Sequence, residues 1–132
     1  MIRLAVALFV ILAMPALAQT GRVTSGEHDG FTRVVIDFGK PVDWQFGRSE
    51  SGYELRQPDT QMAYDLTSAF ALIGKSRLAA IEGPPGTGRV QIGLACACHA
   101  IPFEFRPGIV VIDLKDGPPP KNSIFEEYLE QP

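Results

Sequence analysis

The sequence predicts a mainly β protein, a sandwich of two small sheets built from an internal repeat of four-stranded units. One short helix lies between the repeats and another closes the C-terminus. Three observations carry this reading. Val90, Ile92, Leu94, Cys96 and Cys98 occupy alternate positions, the period that sends side chains to one face of a strand. Ile109-Val110-Val111-Ile112-Asp113-Leu114 is a β-branched run too short for a typical helix. The third is self-similarity: at an offset of 56, Arg33 falls on Arg89, Val34 on Val90, Ile36 on Ile92, Phe38 on Leu94 and Gly52 on Gly108. Upstream, Arg22 and Val23 fall on Arg77 and Leu78 at an offset of 55, a slip expected of turns of unequal length.

Residues 1–18 read as a secretory signal peptide. Arg3 precedes an apolar run from Leu4 to Met14, and Ala16-Leu17-Ala18 supplies an A-x-A cleavage site before Gln19. The run is shorter than the roughly 20 residues of a membrane-spanning helix, and Pro15 interrupts it. A periplasmic or secreted location is expected, with no transmembrane segment after cleavage. No cysteine sits at the cleavage site, so no lipid attachment is expected. The remaining 114 residues suit a single domain over 19–117, followed by a Pro-rich spacer and amphipathic tail over 118–132. Without Arg3, 11 basic residues face 15 acidic ones, a net charge of −4 with no basic run, which argues against a nucleic-acid partner.

The elements follow in order. Val23 to Ser25 is extended, and Glu27-His28-Asp29-Gly30 turns the chain into Phe31 to Phe38, the strongest strand of the first copy. Gly39-Lys40-Pro41 breaks the ladder. Trp44-Gln45-Phe46 alternates again, and Ser49-Glu50-Ser51-Gly52 turns into Tyr53-Glu54-Leu55. Four strands joined by tight turns make a meander, and its apolar face needs the second copy as a lid. Between the copies, Leu66, Phe70 and Ile73 have helical spacing, with Asp65 placed to cap the start and Gly74 the end of a helix over 62–73. The second copy runs from Arg77 through Arg89–Leu94 to the strand after Pro107-Gly108. Pro118-Pro119-Pro120 is a stiff spacer, and Ser123-Ile124-Phe125-Glu126 has the capping-box pattern of a helix start.

With its R-V-V-I-D-F and V-V-I-D-L strands behind a signal peptide, the chain resembles the AMIN domain over about residues 22–117. That family is a periplasmic module found on cell-wall amidases and secretin-type pilus proteins. The resemblance implies a sandwich of two symmetric small sheets and a localising role through peptidoglycan or septal components, with no catalysis. Within residues 1–132 no amidase or secretin domain is expected beside it, and Cys96-Ala97-Cys98-His99 is carried in addition; that the chain is the N-terminal piece of a longer envelope protein is a further reading.

That cluster holds the richest chemistry. In an oxidising compartment Cys96 and Cys98 are expected to pair as a disulfide, although positions i and i+2 of a regular strand lie roughly 6.6 Å apart, so the strand must bend. Buried free thiols are a second reading. A third is a metal site of Cys96, Cys98 and His99, joined by His28, whose ligand types suit zinc or copper(I). Covalent haem would need a C-x-x-C-H spacing, one residue longer. Gly83-Pro84-Pro85-Gly86-Thr87-Gly88-Arg89-Val90 imitates a phosphate-binding loop but lacks its Lys and Ser/Thr, so it reads as a hairpin loop and no nucleotide is expected. His28 reads as an exposed turn residue. Asp37 and Asp113 read as solvent-facing or paired with arginines, and Trp44, Phe46 and Tyr53 as core aromatics before sugar platforms.

No serine or cysteine has a visible base and orienter. The expectation is therefore an exported non-catalytic binding module of the cell envelope, without cofactor, contacting cell-wall glycan or an envelope protein through its surface or its 123–129 segment. The alternative is a periplasmic metal-binding or thiol-redox protein built on Cys96, Cys98 and His99.

Overall fold

The computed structural model describes residues 8–12 and 19–130. Most of the expected signal peptide, residues 1–7 and 13–18, lies outside the described residues, and residues 8–12 belong to no helix or strand. Among the described residues no helix is long and apolar enough to cross a membrane.

Among the described residues nine strands form two packed sheets. They are β1 (Thr20–His28), β2 (Phe31–Asp37), β3 (Gln45–Arg48), β4 (Gly52–Arg56), β5 (Ala63–Asp65), β6 (Leu78–Glu82), β7 (Arg89–Leu94), β8 (Cys98–Arg106) and β9 (Ile109–Asp116). The first sheet has the order β5-β1-β2-β9-β8 and the second β3-β4-β7-β6. Apart from β5, which joins β1 in parallel, all ladders are antiparallel.

The repeat is present, but its copies do not each form one sheet as the meander reading implies. Each copy is split. Its first hairpin joins one sheet and its second hairpin the other, so the first sheet is β1-β2 beside β9-β8 and the second is β6-β7 beside β4-β3. Exchanging the copies turns one strand order into the other. The reason lies at residues 38–44, where Gly39 takes a positive φ of 72° and Pro41 has no N–H, so the chain leaves the ladder and crosses the sandwich. Phe38, fully buried, remains tied to the first sheet by donating its N–H to the Gly108 carbonyl at 2.8 Å.

Ladder register refines the alignment. Ile36 pairs with Val23 and Val110, while Ile92 pairs with Ile81 and Tyr53. Val23 therefore corresponds to Ile81, not Leu78, and Tyr53 to Val110, which places Gly52 opposite Ile109 in the comparison and not Gly108. Alternation within β2 and β7 turns Val34, Ile36, Val90 and Ile92 inward, all fully buried, to meet Leu55, Ile112 and Leu114 in one core.

Both expected helices are absent. The helix over 62–73 is replaced by β5 and a series of turns, because Asp65 caps the wrong structure: its carboxylate accepts from the Thr67 N–H at 3.0 Å and the Thr67 hydroxyl at 2.6 Å. Leu66, Phe70 and Ile73 still pack on the core, from turns. At the C-terminus Ser123 does act as a cap, accepting from the Phe125 N–H at 3.4 Å, but only a single 3₁₀ turn (Ile124–Glu126) follows. Glu126 does not close a capping box. Its carboxylate is drawn to the Tyr53 hydroxyl at 2.6 Å and to Arg48 Nε at 2.8 Å.

The tail then runs extended along β3, with the Arg48 N–H donating to the Glu127 carbonyl at 2.9 Å and a parallel bridge between Arg48 and Tyr128. Phe125 meets Phe46 edge-on at 6.1 Å. A Cβ on Gly47 would lie 2.6 Å from the Glu127 carbonyl oxygen, so glycine is what allows the tail this close. The 123–129 segment thus lies along an edge strand of its own domain, with Ile124 and Tyr128 left exposed.

Candidate functional site

A concavity of about 640 Å³ lies where three distant segments meet: the β3–β4 turn, the β7–β8 crossover and the chain leaving β9. Tyr128, largely exposed, stands at its rim. Each wall is fixed by backbone bonds. Ser49 donates to the Gly52 carbonyl at 3.0 Å to close the turn, Leu94 donates to Ser51 at 3.0 Å, and Gly117 donates to Ala97 at 3.1 Å. Pro118 and Pro119 stiffen the third wall.

Arg77 braces the arrangement from behind. Its carbonyl accepts from the Ala95 N–H at 2.9 Å, and its guanidinium grips Asp116 through Nε at 2.8 Å and a second nitrogen at 2.9 Å. That contact holds the Asp116 carboxyl below its ordinary range. On the opposite wall Arg48 lies over the Tyr53 ring at 4.5 Å and is neutralised by Glu126. Besides these, the residues that line the cleft include Ser51, Glu50 and the exposed Tyr128. The Ser49 oxygen is buried with no protein partner, a group whose hydrogen bonding remains to be satisfied.

Cys96 and Cys98 form a disulfide in this wall, with Cα atoms 5.3 Å apart. The expected single strand through both cysteines does not exist: β7 ends at Leu94 and β8 begins at Cys98, so the pair sits in the corner between sheets. The first copy uses residues 38–44 for the same crossing, whereas the second uses only 95–97. The bridge pins that short corner. Its closed loop is so small that chain entropy limits its contribution to below about 2 kcal/mol. The C96A/C98A variant should therefore lose no more than that in denaturant unfolding; a larger loss would show that the corner folds only when bridged.

The metal set does not assemble. The two thiols are consumed by each other. His99 is buried and its Nδ1 lies 2.9 Å from the Gly117 carbonyl, where it donates. His28 is exposed and stacks on Phe31 at 4.6 Å. Cross-strand pairing runs His28, Phe31, Lys115, His99, so the histidines stand three strand spacings apart, about 14 Å. Among the described residues no three ligand-type side chains converge.

The other candidates fall as follows. Asp113 is held by Arg33 through two bonds of 2.8 and 2.9 Å, and Asp37 accepts from the Gly39 N–H at 2.9 Å, so the two form no dyad. Phe46 and Tyr53 are core, and Trp44 packs against it half-buried. The glycine-rich segment is the β6–β7 loop, closed by the Thr87 hydroxyl donating to Pro84 at 2.7 Å. Sequence reasoning placed Tyr128 in a candidate docking segment but missed Ser49 and Ser51 beside it, because no local pattern marks a site assembled from residues some 80 positions apart.

No protein-family model, curated protein or solved structure matches this chain.

Proposed function

We propose that this chain is an exported, non-catalytic binding module of the cell envelope, and that the cleft beside the disulfide is where it holds its ligand. The observation that carries the reading is the composition of that cleft: one exposed aromatic ring, the Ser51 hydroxyl and the Glu50 carboxylate on walls tied by backbone bonds. An aromatic face with hydroxyl and carboxylate neighbours suits a sugar ring or the short peptide of a cell-wall polymer. The AMIN resemblance supports the same reading, since the sandwich of two exchange-related sheets is the architecture it implies. Neither histidine lines the cleft, and Arg48 is already neutralised, so what the site offers is contact and hydrogen bonding.

Sedimentation with purified peptidoglycan tests this. The mature chain should be retained, and Tyr128→Ala should weaken retention about tenfold, the loss expected of one aromatic contact. The tail holds Tyr128 through its backbone and through Glu126, so the variant keeps its fold. Equal retention of the variant would remove the cleft from the proposal. No retention on peptidoglycan, together with no envelope protein recovered by crosslinking in the periplasm, would overturn the reading itself.

A further inference from the structure

The cleft wall carries one bond that contact and hydrogen bonding leave unused, the Cys96–Cys98 disulfide. The corner it spans is tied on both sides without it. The Ala95 N–H donates to the Arg77 carbonyl at 2.9 Å, the Gly117 N–H to the Ala97 carbonyl at 3.1 Å, and His99 Nδ1 to the Gly117 carbonyl at 2.9 Å. The repeat supplies an internal control, because the first copy makes the equivalent crossing through residues 38–44 with no cysteine. A bridge is therefore not what this crossing needs in order to form.

What a bridge adds to a fold, the fold adds to the bridge. At a sequence separation of 2 that mutual support is less than about thirtyfold in the exchange equilibrium, whereas a pair closing a loop of about 15 residues or more is held by over about a hundredfold. The reduced state is also provided for. Cys96 Sγ lies 3.9 Å from the Arg77 carbonyl oxygen, within reach of the weak donor that a thiol would present, and Cys98, 6% exposed, sits where a small apolar side chain would. Access is one-sided. Cys96 is half-buried between the exposed Ala95 and Ala97 and lines the cleft, while Cys98 is covered.

We propose that this bridge is an exchange site, which passes its disulfide to a cysteine pair of another polypeptide. The activity goes beyond the binding reading and does not depend on it. The direction of exchange sets the substrate class: a pair whose own fold holds it more tightly draws the bridge away, and a small thiol has no fold to add. A substrate thiolate entering the cleft attacks Cys96 Sγ, a mixed disulfide forms, and the Cys96–Cys98 bond breaks with Cys98 leaving as thiolate. The substrate's second thiolate then attacks its own sulfur in the mixed disulfide and expels Cys96. The two protons given up by the substrate thiols end on Cys96 and Cys98, so the substrate pair is oxidised by two electrons and this pair reduced by two. Asp116, the cross-strand neighbour of Cys98, is gripped by Arg77, so the departing thiolate meets no bare carboxylate there.

Glutathione buffers at about pH 7, with thiols trapped by a maleimide and counted by mass, test the first half. The pair in the mature chain should be half-reduced at a glutathione ratio within about thirtyfold of that for the same chain unfolded in urea, and the reduced chain should keep its unfolding transition. A pair held oxidised beyond that range, or a fold lost on reduction, overturns the proposal. Reduced, unfolded lysozyme tests the second half. Two thiols should appear on this chain for every two that lysozyme loses. Ala97→Trp, which fills the approach to Cys96, should slow the transfer about tenfold or more in a chain whose unfolding transition is unchanged. Absence of transfer, or a rate indifferent to Ala97→Trp, overturns it as well. Exchange is read without peptidoglycan and retention on the oxidised chain, so either reading can fail alone.

Discussion

Ile36→Ala and Ile92→Ala should each lower the unfolding free energy by about 2 to 5 kcal/mol, the range for emptying a well-packed aliphatic site. Both side chains are fully buried, and the ladders give them equivalent places: Ile36 lies between Val23 and Val110, Ile92 between Ile81 and Tyr53. Because each sheet takes one hairpin from each copy, neither copy has a private core to retreat to. A domain of this size is held by about 5 to 15 kcal/mol in all, so the double variant should be largely unfolded at room temperature. Urea unfolding followed by the fluorescence of the single tryptophan, Trp44, reads all three. Outward-facing neighbours serve as controls: Val35→Ala and Gln91→Ala should change stability by less than about 1 kcal/mol. If one isoleucine proved dispensable while the other unfolded the chain, the shared core would be refuted.

The strands were legible because two-residue periodicity is a local signal that survives without tertiary knowledge. Val34 and Ile36, or Val90 and Ile92, declare their face from sequence alone, and the offset between them declares the repeat. Which sheet each hairpin enters was not legible. Gly39-Lys40-Pro41 reads equally well as a turn within a meander or as a crossing between layers, and only the pairing of β2 with β9 decides it. The helices failed for a related reason. Asp65 is a good helix cap and an equally good partner for Thr67, and with Ala63–Asp65 already committed to β1 the turn wins. Ser123 and Glu126 fit a capping box, but a buried tyrosine hydroxyl and an arginine outbid the local N–H for the carboxylate. The disulfide was legible as an expectation from the cysteine pair in a chain read as exported; its place in a corner between layers was not. The cleft was the least legible feature, since residues 49–51, 96–98 and 128 share no periodicity.

Removing the tail after Asn122 should destabilise the domain by about 2 to 4 kcal/mol and change how its stability responds to alkali. Without Glu126 the Tyr53 hydroxyl loses its 2.6 Å partner within an otherwise buried environment, a loss of about 1 to 3 kcal/mol. The edge-on contact of Phe125 with Phe46 adds about 0.5 to 1.5 kcal/mol. In the intact chain burial, and then the bond to Glu126, push the Tyr53 hydroxyl up to about 12 from its ordinary 10. The unfolded chain therefore releases this proton first as pH rises. Stability from keeping Tyr53 neutral is fully present below pH 10 and drains away between about 10 and 12, a fall on the order of 2 kcal/mol. Truncation removes one of the two causes of the raised value and opens the pocket to water, so the shortened chain should start less stable and lose less over that window. Tyr53→Phe in the full chain should flatten the same limb while keeping the ring in the core. Urea midpoints at pH 8, 10 and 11.5 would show this, and parallel losses in the intact, truncated and Tyr53→Phe chains would mean that another group governs the alkaline transition.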